Sequence, residues 1–220
     1  MINGELQEQL KRKGYAQIKN FLKEEHANKL RRDILRVSDH RAWDIITTPY
    51  HPFVIQRDNV SSCVIDKQRH KTAEFADRRG QFSFSFYRSN NKHERFHESS
   101  RIHGRFSEVL LQRLDRCLAF DGVLVDAFFA SFIRDQFIGY HSDGNIGKYA
   151  FIYQLSKGWQ RKYGGQLVLY PKQTKFHKIT LEPAFNCLTL LNLSFPMFHS
   201  VSRLNNPAHK HRITISGWVK

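Results

Sequence analysis

Apolar residues change their spacing about halfway along the chain. Over Lys23–Val37 they recur every three or four positions, at Ala27, Leu30, Ile34 and Val37, with Glu24 and Glu25 in the first turn. That pattern predicts a helix with one buried face and acidic side chains at its positive end. Ile102–Leu118 repeats the period through Phe106, Val109, Leu110 and Leu114. Glu5–Lys13 predicts a short charged helix stopped by Gly14, and Tyr15–Asn20 a first strand. Two polar stretches, Gln56–Gly80 and Arg88–Arg101, carry neither period and are expected as long loops, which in a domain of this size are lids or mobile segments. Between them Phe82-Ser83-Phe84-Ser85-Phe86 alternates strictly, which predicts a half-buried strand.

After Asp121 the period falls to two. Strands are expected at Val123–Ile133, Phe137–His141, Tyr149–Leu155, Gln166–Tyr170, His177–Leu181, Asn186–Asn192, Phe198–Arg203 and His211–Val219. Turn residues separate them: Asp143-Gly144-Asn145, Gly164-Gly165, Pro171, Pro183 and Asn205-Asn206-Pro207. Many short, evenly spaced strands suggest a sandwich or jelly roll. The expectation is a mainly β fold with flanking N-terminal helices. Residues 1–120 form a helical and strand support region with polar loops, and 121–220 form the jelly-roll core of one compact domain.

Composition narrows the class. A chain of 220 residues can bury a sizeable core. Its three cysteines, Cys63, Cys117 and Cys187, are widely spaced and form no CxxC, which argues for free thiols in a reducing compartment. No run of 18 apolar residues occurs, and the charged N-terminus has no apolar signal-peptide region, so a cytoplasmic protein is expected. The formal net charge is +15. A solvated basic surface accounts for it as well as an acidic protein or a ribonucleoprotein partner does.

The chemistry concentrates in the strand-rich half. His141-Ser142-Asp143 ends a predicted strand, where residues i and i+2 share a face, so an imidazole and a carboxylate can reach one ion. With twelve histidines in the chain such a triplet also arises by chance. His199 follows an apolar run and opens another strand, from which a jelly roll can bring it across to the first pair. Two histidines and one carboxylate on one side of an iron leave positions free for a chelating co-substrate and O2. Zinc would more often be closed by a fourth ligand or hold a hydrolytic water. His177, His209 and His211 are expected as solvated or core side chains.

In Arg212-Ile213-Thr214-Ile215-Ser216-Gly217-Trp218 the polar positions Arg212, Thr214 and Ser216 share a face, and His211 takes the other. If that face lines the barrel, Arg212 needs an anion, because a buried unpaired charge is costly. A dicarboxylate fits: the guanidinium grips its far carboxylate and Thr214 adds a hydrogen bond. In water the same strand would need no ligand.

Taken together, Gly139-Tyr140-His141-Ser142-Asp143, Trp159, Gly164-Gly165-Gln166-Leu167-Val168-Leu169-Tyr170, Pro183-Ala184-Phe185-Asn186, His199-Ser200-Val201 and Arg212–Trp218 resemble the 2-oxoglutarate/Fe(II)-dependent oxygenases, within them the prolyl-4-hydroxylase-like branch. The resemblance runs from about Val123 to Lys220. It implies a double-stranded β-helix, Fe(II) on His141, Asp143 and His199, and 2-oxoglutarate with its far carboxylate on Arg212. It also implies O2 as second co-substrate, with ascorbate as a reductant. Asp143 stands where halogenating relatives carry a small residue, which implies hydroxylation. Trp218 stands where nucleic-acid demethylases carry a second arginine. The family's co-substrate tyrosine on an early barrel strand maps to Tyr153, with Gln154 beside it. The expected function is hydroxylation of a C–H bond in a peptidyl residue such as proline. The alternatives are a small-molecule or free amino-acid hydroxylase of the same fold, and a non-enzymatic basic module that binds nucleic acid.

Overall fold

The structure, a computed structural model, describes residues 3–37, 43–48, 62–89, 97–171, 174 and 176–220. In chain order the elements are α1 (Asn3–Lys13), β1 (Tyr15–Lys19), α2 (Glu24–Val37), β2 (Trp43–Thr48), α3 (Ser62–Arg78), β3 (Phe84–Ser89) and α4 (His97–Leu118). They continue with β4 (Leu124–Phe132), β5 (Phe137–His141), β6 (Tyr149–Gln154), β7 (Leu167–Tyr170), β8 (Ile179–Leu181), β9 (Cys187–Asn192), β10 (Phe198–Val201) and β11 (Arg212–Val219). A 3-10 turn, Arg161–Tyr163, precedes β7.

The strands join in one antiparallel order, β1-β9-β6-β11-β4-β3-β5-β10-β7-β8, with β2 added beside β3. The sheet curls into a half-barrel of jelly-roll type. Strand alternation divides its core in two. On β11 the side chains of Ile213 and Ile215 leave the barrel and pack with Phe129, Tyr153 and Leu190 against the helices. From the helices come Leu6 and Leu10 of α1, Ile34 of α2, and Phe106, Leu110 and Leu114 of α4. Phe128, Ala130, Phe132, Leu167, Leu169 and Val201 face the barrel interior. Each large apolar side chain so buried stabilises the fold by about 1.5–3 kcal/mol.

Five readings differ from expectation. Val109 is 37% exposed, one step off the stripe through Phe106, Leu110 and Leu114 that α4 buries. Residues 62–78, within a stretch expected as a loop, form α3, which packs on β2 and β3. Its inward positions include Ala73 and Ala76, too small to produce a visible apolar period. The alternating strand is covered on both faces: Ser83 and Ser85 are fully buried opposite the phenylalanines, and Phe82 is the most exposed of the three rings. α4 starts at His97, inside the second expected loop, and β2 was not anticipated. The remaining parts of those loops, 56–61 and 90–96, lie outside the described residues, as does the side chain of Cys63. Cys117 and Cys187 are free thiols. Among the described residues no helix is long and apolar enough to cross a membrane.

Candidate metal centre

β5 and β10 pair directly, and their register sets His141 opposite His199. Asp143 follows in the turn that Gly144 (φ 59°) completes. The carboxylate lies between the imidazoles, with Oδ1 3.5 Å from His141 Nε2 and Oδ2 3.7 Å from His199 Nε2. The three ligand atoms fall within 4.8 Å of one another, and this is the one such group of His, Cys, Asp and Glu side chains among the described residues.

Local packing prepares the donors. His141 Nδ1 is 2.9 Å from Gly139 O. Donating there leaves the Nε2 lone pair for a metal. Gly139 is required by a close approach: a Cβ on it would sit 2.7 Å from the Ser83 carbonyl oxygen. That oxygen accepts the Gly139 N–H at 2.7 Å. The Phe82 ring covers His141 at 4.9 Å.

Burial is the largest influence on Asp143 and opposes its charge. The His141 hydrogen bond, the two imidazoles and the nearby Trp218 N–H together outweigh it, and the carboxyl is held below its usual range. The Trp218 nitrogen itself stays short of a hydrogen bond. Burial first, then His141, lowers His199 below the ordinary histidine value, against the pull of Asp143. An ionised carboxylate beside a neutral imidazole is the state a cation binds.

A cavity of about 90 Å³ leads from these three residues into the barrel, between Phe86, Phe128, Phe132 and Leu167, to Arg212 and Thr214. Arg212 is 1% exposed. Its Nε and Nη2 have no hydrogen-bond partner, and its Cζ lies 4.9 Å from the Phe132 ring centre. Burial lowers its pKa to about 9, which leaves it cationic at neutral pH. A buried cation with idle donors, aimed into a cavity whose other wall is a metal-ligand set, fits a carboxylate ligand that also chelates the metal. A second hollow, about 140 Å³, reaches Asp143 and His199 from outside, between the 142–145 turn and the 193–198 loop.

The other candidates separate clearly. Thr214 lies in the cavity, buried, its Oγ1 3.2 Å from Ser216 Oγ. Tyr153 does not: it faces the helices, stacks on Phe106 at 5.0 Å and donates to Asn186 Oδ1 at 2.7 Å. Alternation along β6 gives the inner position to Gln154, which pairs with Thr214, is 2% exposed and has an unpartnered Oε1. The expectation was thus one residue out of phase. The register was in the sequence, since Ala150, Ile152 and Gln154 share a parity. His177 and His209 are exposed, and His211 lies 3.2 Å from Ser131 Oγ.

Residues 129–220 match the model of the 2OG-Fe(II) oxygenase superfamily. Among solved structures, a Pseudomonas putida prolyl-4-hydroxylase is similar at TM-score 0.59 and 16% identity, covering 99% of this chain and 98% of that one. A Trichoplax adhaerens prolyl hydroxylase, solved with a hypoxia-inducible-factor peptide fragment, is similar at 0.64 and 18%, covering 99% and 88%. A 2OG-Fe(II) oxygenase family oxidoreductase from Burkholderia pseudomallei is similar at 0.67 and 11%, covering 99% and 90%. At these identities the structures establish a shared fold. No curated protein matches the sequence.

Proposed function

We propose that this chain, a 2OG-Fe(II) oxygenase through residues 129–220, hydroxylates a C–H bond of a peptidyl residue, proline foremost, in a cytosolic protein. As a 2-oxoglutarate-dependent dioxygenase it uses Fe(II), 2-oxoglutarate and O2. His141, Asp143 and His199 hold the iron in this reading, and Arg212 holds the far carboxylate of 2-oxoglutarate. The observation that carries it is the pair of unpartnered Arg212 nitrogens at the end of a cavity that begins at the metal-ligand group.

When bound, iron with 2-oxoglutarate and O2 supplies the oxidising chemistry. The chain's own residues position and shield. Gly139 O fixes the tautomer of His141. Thr214 and Gln154 offer polar atoms beside Arg212. Phe86, Phe128, Phe132 and Leu167 keep water from the co-substrate. Access to Asp143 and His199 from outside, through the second hollow, supports a substrate that approaches from the surface. Beside that hollow Tyr140 and Phe198 stack at 4.5 Å, with Tyr170 edge-on at 4.9 Å from Tyr140. Such rings suit a peptide's apolar side chains. The excess of basic residues supports an acidic or ribonucleoprotein-associated protein as the carrier of the target residue.

The test has two stages. Under anaerobic conditions, Fe(II) and 2-oxoglutarate should give a weak visible charge-transfer band that His141→Ala removes. Lysate proteins incubated with the complete system should then gain one oxygen atom at a peptidyl residue. A band without any modified protein, together with turnover of free amino acids, would replace the peptide substrate by a small molecule.

A further inference from the structure

The unpartnered arginine has a precise setting. Its stem runs past the segment that leads into β7, where the backbone takes two successive residues of positive φ, Gly164 (φ 71°) and Gly165 (φ 73°). The first is explained by the backbone itself, since a Cβ on Gly164 would lie 2.1 Å from the Arg203 carbonyl oxygen. Gly165 is different. A Cβ there would meet Arg212 Cδ at 2.8 Å and Leu204 Cδ1 at 3.4 Å. Gly165 is itself buried and tied by its N–H to Ser202 O at 3.1 Å, so it cannot swing aside. Leu204 is 1% exposed, and the guanidinium lies over the Phe132 ring on its other side. The stem of Arg212 is therefore held among Gly165, Leu204 and Phe132, and the hydrogen atom of Gly165 is what leaves it room.

We propose that Gly165 is a positioning residue for the co-substrate: its missing side chain sets where the Arg212 guanidinium presents its idle nitrogens to the carboxylate of 2-oxoglutarate. This rests on the reading of Arg212 given above. A methyl group at 165 displaces the arginine at Cδ, next to Nε, so the displacement passes undiminished to the donors. Paired hydrogen bonds to a carboxylate are directional, and a misplacement of about 1 Å costs on the order of 10–100-fold in such a site. None of His141, Asp143 and His199 is among the atoms nearest a Cβ at position 165, which belong to Arg212 and Leu204.

Gly80 provides the control. Its φ is 74°, matching Gly165, but nothing lies within 4 Å of a Cβ built on it. Gly80→Ala thus carries the backbone strain without the contact. The experiment measures 2-oxoglutarate binding to the Mn(II)-loaded full-length protein by calorimetry, and Mn(II) binding separately, for wild type, Gly165→Ala, Gly80→Ala and Arg212→Ala. The expected result is a Kd for 2-oxoglutarate raised about tenfold or more in Gly165→Ala, with Mn(II) affinity unchanged and Gly80→Ala like wild type. Wild-type affinity in Gly165→Ala overturns the proposal, and so does an equal loss in the two alanine variants, which would make strain the whole effect. If Arg212→Ala binds 2-oxoglutarate like wild type, the Arg212 reading itself has failed. Should Gly165→Ala not fold, Gly165→Ala/Leu204→Ala is compared with Leu204→Ala, which opens space beside the stem. Weaker binding in the double variant supports the proposal, and equal binding overturns it.

Discussion

A guanidinium that is 1% exposed, with two idle nitrogens, costs several kcal/mol until an anion joins it. Two opposite effects should follow from replacing it by an apolar side chain of similar length. Arg212→Met should stabilise the ligand-free protein, by about 1–4 kcal/mol in denaturant unfolding. It should also abolish the extra stability that 2-oxoglutarate gives the metal-loaded wild type. A variant that is less stable without ligand and still stabilised by 2-oxoglutarate would contradict the account of this residue. Tyr153 makes the complementary case. Its hydroxyl serves Asn186, which in turn accepts the Leu22 N–H at 2.9 Å and donates to Leu22 O at 2.8 Å, tying β6 to the entry of α2. Tyr153→Phe should therefore cost about 1 kcal/mol of stability and leave 2-oxoglutarate affinity unchanged, as calorimetry would show.

At the scale of elements, α3 lies close to the strand that carries His141. Arg203, in the loop after β10, reaches Glu74 at 2.7 Å and Asp77 at 3.5 Å on α3, and its Cζ lies 4.4 Å from the Phe137 ring centre. The pairs are partly exposed, so their net worth is small, about 1 kcal/mol or less each. Local opening of one helix is governed by differences of that size. Arg203→Ala should speed amide exchange in residues 69–78 several-fold while the amides of β6 and β11 keep their protection. Uniform acceleration would mean that the ion pairs hold the whole barrel instead. This helix also marks where the sequence became hard to read. The strands after Asp121 were legible because alternation and turn residues mark each one, and their limits agree with the structure within two residues. α3 was not, because a helix that buries alanines has no apolar period. The candidate site shows the same boundary: its ligand residues were visible as types at a spacing, whereas Gln154, Gly139 and Gly165 act through register and contact, which appear only once strands are paired.

Across the whole molecule, binding and folding are linked, because the donors come from separate strands. A metal that binds only the folded chain raises its stability, by about 2.7 kcal/mol at a hundredfold excess over Kd. Mn(II) should therefore raise the melting temperature, 2-oxoglutarate should raise it further only when metal is present, and a chelator should reverse both. His199→Ala should lose the entire response. A shift from 2-oxoglutarate alone, equal to that with metal, would mean that the acid binds elsewhere.

β11 is made after every other strand described, yet it lies between β6 and β4, with Arg212–Val219 paired to β4 and Thr214–Val219 to β6. During synthesis the two neighbours must wait with unpaired edges until β11 leaves the ribosome. This part of the sheet closes after the other described strands are made, and the buried Arg212 arrives with it. A chain cut before Arg212 would lose the middle of its sheet rather than the margin. Growing molecules of this protein accordingly pass through a stage with two open strand edges, when chaperones or neighbouring nascent chains have the most to bind.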